Sequence, residues 1–277
     1  MSLSKVISKS FKETFKLKRF LPFFLLYSIF SICFLIFFMP ILSVSPYLFS
    51  LKYSSNHLAV VAINLLGIFI VFLLVVLVDL WFSGALIFDV WKKKGFEKGL
   101  KYSKKRYPHL LALGIIFAIF GAILYFLGEL GSLIQLLVTW LLIFALPSII
   151  VKKDSFDLAI ARSFHIVKRN FLRTFAFFLL IVAFTYAFLF ASMFLSFLFA
   201  SPLISRFVYL LRVISTSSYS ISQPELIQIV GLLMESYPFF FVIGFIVSLF
   251  YAFSHVFALT AETYYFLDLT KKKLMYF

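Results

Sequence analysis

The chain has 277 residues, of which 63% are hydrophobic, 21% aromatic and only 13% charged, with a net charge of +15. A water-soluble domain carries about 25% charged residues and about 45–50% apolar ones, so a soluble globule of this length is excluded. On a soluble protein the positive charge would suggest nucleic acid. Here it flanks apolar runs, where anionic headgroups attract Lys and Arg at roughly 1 kcal/mol each, and no nucleic-acid partner is expected.

A membrane-spanning helix needs about 20 apolar residues, and six stretches meet that need. A basic lead precedes the first span, Leu21 to Met39, which has Pro22 in its first turn and Pro40 as its stop. Lead and apolar run both exceed a secretory signal, so an uncleaved anchor is expected. The second span, Leu58 toward Phe88, is too long for a perpendicular crossing and must tilt or project. Spans three (Leu110 to Leu127) and four (Leu133 to Val151) form a tight hairpin about Gly128-Glu129-Leu130-Gly131, and Pro147 should kink or end the fourth early. Span five runs from Phe171 to Ala200 and is closed by Ser201-Pro202. A short outer helix is expected from Ser222-Gln223-Pro224-Glu225, and Pro238 opens span six, Phe239 to Phe266. Continuous apolar runs argue against barrel strands, which alternate over about ten residues.

Of the 26 Lys and Arg, only Lys52, Arg206 and Arg212 fall in the odd-numbered links between spans. The positive-inside rule then puts both termini and the rich side in the cytoplasm of a multi-pass plasma-membrane protein.

Sliding the chain by 60 residues aligns Lys92-Lys93-Lys94-Gly95-Phe96-Glu97 with Lys152-Lys153-Asp154-Ser155-Phe156-Asp157, Gly99 with Ala159 and Ser103 with Ser163. Val6 and Ser10 offer a third copy. Phe88-Asp89-Val90-Trp91 with its three lysines parallels Leu267-Asp268-Leu269-Thr270 with Lys271-Lys272-Lys273. The fold class is therefore all-α: six transmembrane helices as three repeated hairpins, each preceded by a basic amphipathic cytoplasmic helix. Residues 1–277 form one integral membrane domain with units of about 1–94, 95–153 and 154–277. In the third amphipathic segment Asp154 is the expected N-cap, boxed with Asp157, and Phe156, Ile160, Phe164 and Val167 share a face. That helix is expected to lie in the headgroup layer; the other reading extends span five into water. Small residues at every fourth position (Gly114, Ala118, Ala122; Ala183, Ala187, Ala191; Gly244, Ser248, Ala252) are expected to mark the bundle interior. Trp81, Trp91, Tyr107, Tyr264 and Tyr265 read as interface anchors.

Ionisable residues at membrane depth are functional candidates. Asp79, His255 and Glu262 qualify, the last two being seven residues apart on one helix face. They could line a polar path or simply reach water and neighbouring hydroxyls. Lys98, Lys101, Lys104, Lys105, Arg162, Lys168 and Arg169 are expected at anionic phospholipid headgroups. Cys33 stands alone, which leaves no disulfide framework. His57, His109, His165 and His255 are dispersed, so no metal site, cofactor or catalytic residue is expected.

The stretch Ala145-Leu146-Pro147-Ser148-Ile149-Ile150-Val151, Ala159-Ile160-Ala161-Arg162-Ser163-Phe164 and Val167-Lys168-Arg169-Asn170-Phe171 resembles the signature of a membrane-domain family associated with glycerophosphoryl diester phosphodiesterases and related uncharacterised six-span proteins. The resemblance implies an anchor or partner in the bilayer. No catalytic residue belongs to that motif, and no soluble segment is long enough for the phosphodiesterase domain. The expectation is a non-enzymatic scaffold contacting anionic lipid or a membrane-protein partner; the alternative is a small-molecule or lipid transporter with its path near Asp79, His255 and Glu262.

Overall fold

The computed structural model describes residues 2–49, 55–215, 227, 230–231 and 234–271. Every described element is helical, and six helices are long and apolar enough to cross a membrane. Hydrocarbon offers backbone groups no partner, and a helix satisfies them within its own segment. The most apolar window of the second such helix has 0% of its residues buried inside the protein; a surface of that kind belongs against lipid. The chain is a multi-pass membrane protein.

The helices are α1 (Leu3–Thr14), α2 (Leu17–Phe49), α3 (Ser55–Lys92), α4 (Phe96–Tyr125), α5 (Gly128–Leu141), the single turn α6 (Ala145–Pro147) running into a π-type turn (Ser148–Lys152), α7 (Phe156–Arg169), α8 (Phe171–Ser215) and α9 (Tyr237–Lys271). Two compact units result. Unit 1 holds Met1–Phe23, Val76–Ala187 and Ala252–Phe277; unit 2 holds Phe24–Val75 and Phe188–Tyr251.

Several helices outrun their expected ends. Pro40 lies inside α2, and α8 continues through Ser201-Pro202 to Ser215. A proline removes one hydrogen bond, whereas unwinding in lipid would expose several backbone groups at several kcal/mol each. Since α2 starts at Leu17, Pro22 sits beyond its first turn. At Pro147 the expected break does occur, in the residues just upstream: α5 ends at Leu141, and the ring cannot sit over the carbonyl four residues back. The hydroxyl of Ser163 fills that gap. It donates to the Leu141 carbonyl (2.8 Å) and accepts from the Phe144 N–H (3.1 Å).

Within unit 1, α3 and α4 approach closely because their contact is lined with small residues. A Cβ on Gly99 would strike the Ala85 carbonyl, and one on Gly114 would come to 2.6 Å of Leu80. Three hydrogen bonds clamp the crossing: Ser103 Oγ to Trp81 O (3.0 Å), Trp81 Nε1 to Leu100 O (3.0 Å) and Tyr107 OH to Leu77 O (3.0 Å). Sixty residues apart, Lys93 and Lys153 both adopt left-handed φ, 54° and 61°, and helices restart at Phe96 and Phe156. The basic stretch after Gly95 is no separate helix, since α4 carries it straight into the span through Pro108. By contrast α1 and α7 are separate helices.

The α7 N-cap is Ser155, not Asp154. Asp154 turns away to accept from Ser148 Oγ (2.5 Å) and from Arg162. Hydrogen bonding from Ser155 holds the exposed Asp157 carboxyl below its ordinary value. Its contribution to the fold is present above the unfolded-state value and is lost as pH falls through the lower folded one. The buried side of α7 is Ala159, Ser163, Ile166 and Val167, while Phe164 is exposed. Alanine-sized and hydroxyl side chains let α7 dock closely; the larger Phe164 faces outward.

Unit 2 joins α2 to α9 through Ser31 Oγ and Ser248 Oγ (2.9 Å), with Gly244 set against Ser31. Phe37 lies over Gly67 to join α2 to α3. Of the three small-residue stripes the one on α9 meets α2, and on α4 Gly114 alone meets α3; Ala118, Ala122, Ala183 and Ala187 are exposed. Tyr264 and Tyr265 are buried rather than anchoring, and Tyr265 stacks on Phe177 at 4.3 Å. The Ser222–Glu225 helix start, and Lys52, Lys272 and Lys273, lie outside the described residues.

Candidate functional site

Polar side chains are scarce along the spans, so those that meet are informative. Asp79 and Ser83 stand one turn apart on α3 and therefore share a face. Opposite them on α9, His255 places Nε2 at 3.5 Å from Asp79 Oδ1 and 3.2 Å from Ser83 Oγ. The Phe23 ring packs against the imidazole at 5.3 Å. Asp79 lies roughly 20 Å along the axis from the lysines that end α3, which is membrane depth for a helix embedded to that end. Carboxylate, hydroxyl and imidazole at these distances can hold and pass a proton or a small cation. Two of the three expected path residues thus meet. Glu262 lies two turns further along α9, roughly 10 Å, half-buried, with no hydrogen bond or ion pair to described residues.

A second cluster closes the basic end of α3. Arg19, only 5% exposed, donates from Nε to Asp89 Oδ2 (2.6 Å) and pairs with Glu13 through Nη1. Asp89 also accepts the Gly95 N–H on Oδ1 (2.7 Å), while its carbonyl takes the Lys93 N–H (2.7 Å). One carboxylate therefore ties α2 to α3 and holds the reversal into α4. Lys16 supplies the second cation, 2.7 Å from Glu13. Charges this buried persist only when paired and hydrogen-bonded.

The expected headgroup residues form a third set. Lys98, Lys101, Lys104, Lys105, Lys168 and Arg169 are all exposed, and none has a carboxylate partner among the described residues. Arg162 differs: it donates from Nε and Nη2 to Asp154 at 2.5 and 3.0 Å. All the Lys and Arg except Lys52, Arg206 and Arg212 belong to unit 1.

Sequence reading missed Ser83, the Arg19–Asp89 pair and the Arg162–Asp154 pair. Asp89 did carry a signal, since it heads the repeated acid-and-three-lysines stretch. Among the described residues no group of three or more His, Cys, Asp or Glu side chains converges as a metal site would need. No protein-family model matches the chain, and no curated protein or solved structure matches it.

Proposed function

We propose that the chain is a non-enzymatic plasma-membrane scaffold whose basic cytoplasmic face gathers anionic phospholipid. Exposed cations without acidic partners carry this reading. Lys98, Lys101, Lys104, Lys105, Lys168 and Arg169 are exposed, with no carboxylate among the described residues to neutralise them, whereas the buried Arg19 is paired with Glu13 and Asp89. Free basic side chains beside apolar spans attract acidic headgroups. Both termini are then cytoplasmic, as the asymmetry of basic residues implies. The three-unit repeat belongs to the same proposal. Its support is the left-handed lysine at 93 and 153 and the bond from Ser103 to Trp81 matched by that from Ser163 to Leu141, each spanning 22 residues. An anchoring role is also what the resemblance to the phosphodiesterase-associated membrane family implies.

The test is melting of the detergent-solubilised protein during titration with phosphatidylglycerol or phosphatidylcholine. The acidic lipid is expected to stabilise more, and replacing Lys98, Lys101, Lys104 and Lys105 together by Gln to weaken that affinity by about several hundred-fold, at roughly fivefold per cation. Equal stabilisation by both lipids sinks the proposal.

A second reading, transport, is favoured by the meeting of Asp79, Ser83 and His255 at 3.2–3.5 Å. Proton flux into proteoliposomes, reported by a trapped pH dye, is then expected and is abolished by Asp79→Asn. Flux that survives both Asp79→Asn and Glu262→Gln removes that path.

A further inference from the structure

We propose that the cleft between α7 and the last turn of α9 is a binding site for the phosphate of one anionic phospholipid molecule. This rests on the lipid-gathering reading and goes beyond it, from a diffuse charged layer to a defined pocket.

The cleft encloses about 460 Å³, within the range of small-molecule sites. One wall is a single face of α7, where Leu158, Arg162, His165 and Arg169 recur at three- and four-residue spacing and so point the same way. Lys152, Leu269 and Thr270 complete the lining. The Thr270 hydroxyl is committed to the carbonyls of Phe266 and Leu267 at 2.9 and 3.3 Å, so recognition falls to the cations.

Those cations line one cleft and offer donors that an oxyanion can use. Arg162 is held by Asp154 through Nε and one Nη2 hydrogen. Of its five donors, both on Nη1 and the second on Nη2 stay available on a guanidinium already fixed in place. Asp154 is itself satisfied by Ser148 and is 7% exposed, so it is an orienting group rather than a competitor in the cleft. Lys152 and Arg169 are exposed with no acidic partner among the described residues, and no carboxylate lines the cleft. His165 adds a further positive charge when protonated.

Two features favour a lipid over free phosphate. Leu158, Ile166 and Leu269 supply an apolar side suited to glycerol and the first acyl carbons. The cleft also sits where three candidate spans end or begin: Lys152 closes one, Asn170 precedes Phe171 of the next, and Leu269 and Thr270 lie in the last turn of the third. Span ends are where headgroups reside.

The experiment is native mass spectrometry of the full chain in detergent, titrated with phosphatidylglycerol, with phosphatidylcholine and inorganic phosphate as separate arms. The wild-type protein is expected to retain one molecule of phosphatidylglycerol saturably. Lys152→Gln with Arg169→Gln should weaken that binding about thirty-fold, at roughly fivefold per cation; both residues are exposed, so the fold survives. The Lys98, Lys101, Lys104 and Lys105 variant should keep the saturable molecule. Displacement by millimolar inorganic phosphate would make the ligand a free anion and overturn the lipid assignment. Equal loss in both variants, or loss only in the lysine variant, would also overturn it. Preference for acidic lipid that ignores the cleft variant sinks the pocket alone, whereas no preference at all sinks the underlying reading.

Discussion

Asp89→Asn is expected to lower the stability of the detergent-solubilised protein by about 3–5 kcal/mol, the range for removing one partner of a buried ion pair. The size follows from what remains. Arg19, 5% exposed, keeps its charge but loses the carboxylate 2.6 Å away, and only Glu13 is left to answer it. The Gly95 N–H loses its charged acceptor as well, so the reversal between α3 and α4 loosens with the pair. Glu13→Gln should cost less, about 1–2 kcal/mol, because Arg19 keeps the Asp89 carboxylate at 2.6 Å. Adding Arg19→Met to an Asp89→Leu background is expected to recover part of the loss, since an apolar pair in place of a buried ion pair is often neutral. Chemical unfolding followed by circular dichroism measures all four. A drop below about 1 kcal/mol for Asp89→Asn would mean that water reaches the arginine.

The second large effect is a contrast between two serines in matching positions. Ser163→Ala is expected to cost about 2–4 kcal/mol and Ser103→Ala about 1 kcal/mol. Ser163 is fully buried and serves two backbone groups at the break after α5, Leu141 C=O and Phe144 N–H. Removing it strands both in a dry interior. Ser103 bonds only the Trp81 carbonyl, and that carbonyl lies within the unbroken helix α3. Amide exchange at Phe144 should quicken in the first variant and stay unchanged in the second. Equal losses for both would show that the break is satisfied by something other than the hydroxyl.

Spans were legible in the sequence because length and hydropathy are local properties: each apolar run reappears as a helical segment, the fourth broken after Leu141. Their ends were not. Pro40 and Pro202 carry the local signature of a stop, yet lipid makes unwinding costlier than one lost hydrogen bond. Asp154 looks like a cap from its neighbours alone, but Arg162, eight residues on, competes for it and wins. Small-residue spacing identifies a stripe and leaves open which face meets a neighbour, so Ala118 and Ala183 point outward while Ser248 meets Ser31. The polar site was partly readable. Asp79 and His255 stand out as ionisable groups in apolar runs, but their meeting depends on the relative register of α3 and α9, as does the role of Ser83. The Arg19–Asp89 contact spans 70 residues, and no periodicity in the chain announces it.

The same separation has a consequence for biosynthesis. Arg19 leaves the ribosome 70 residues ahead of Asp89, so while the first apolar helix is being threaded its guanidinium has only Glu13 as a carboxylate partner. Only when the second helix has emerged does the Asp89 carboxylate arrive and withdraw that charge from the surface. The contact that rivets α2 to α3 thus forms only after a whole hairpin has been synthesised.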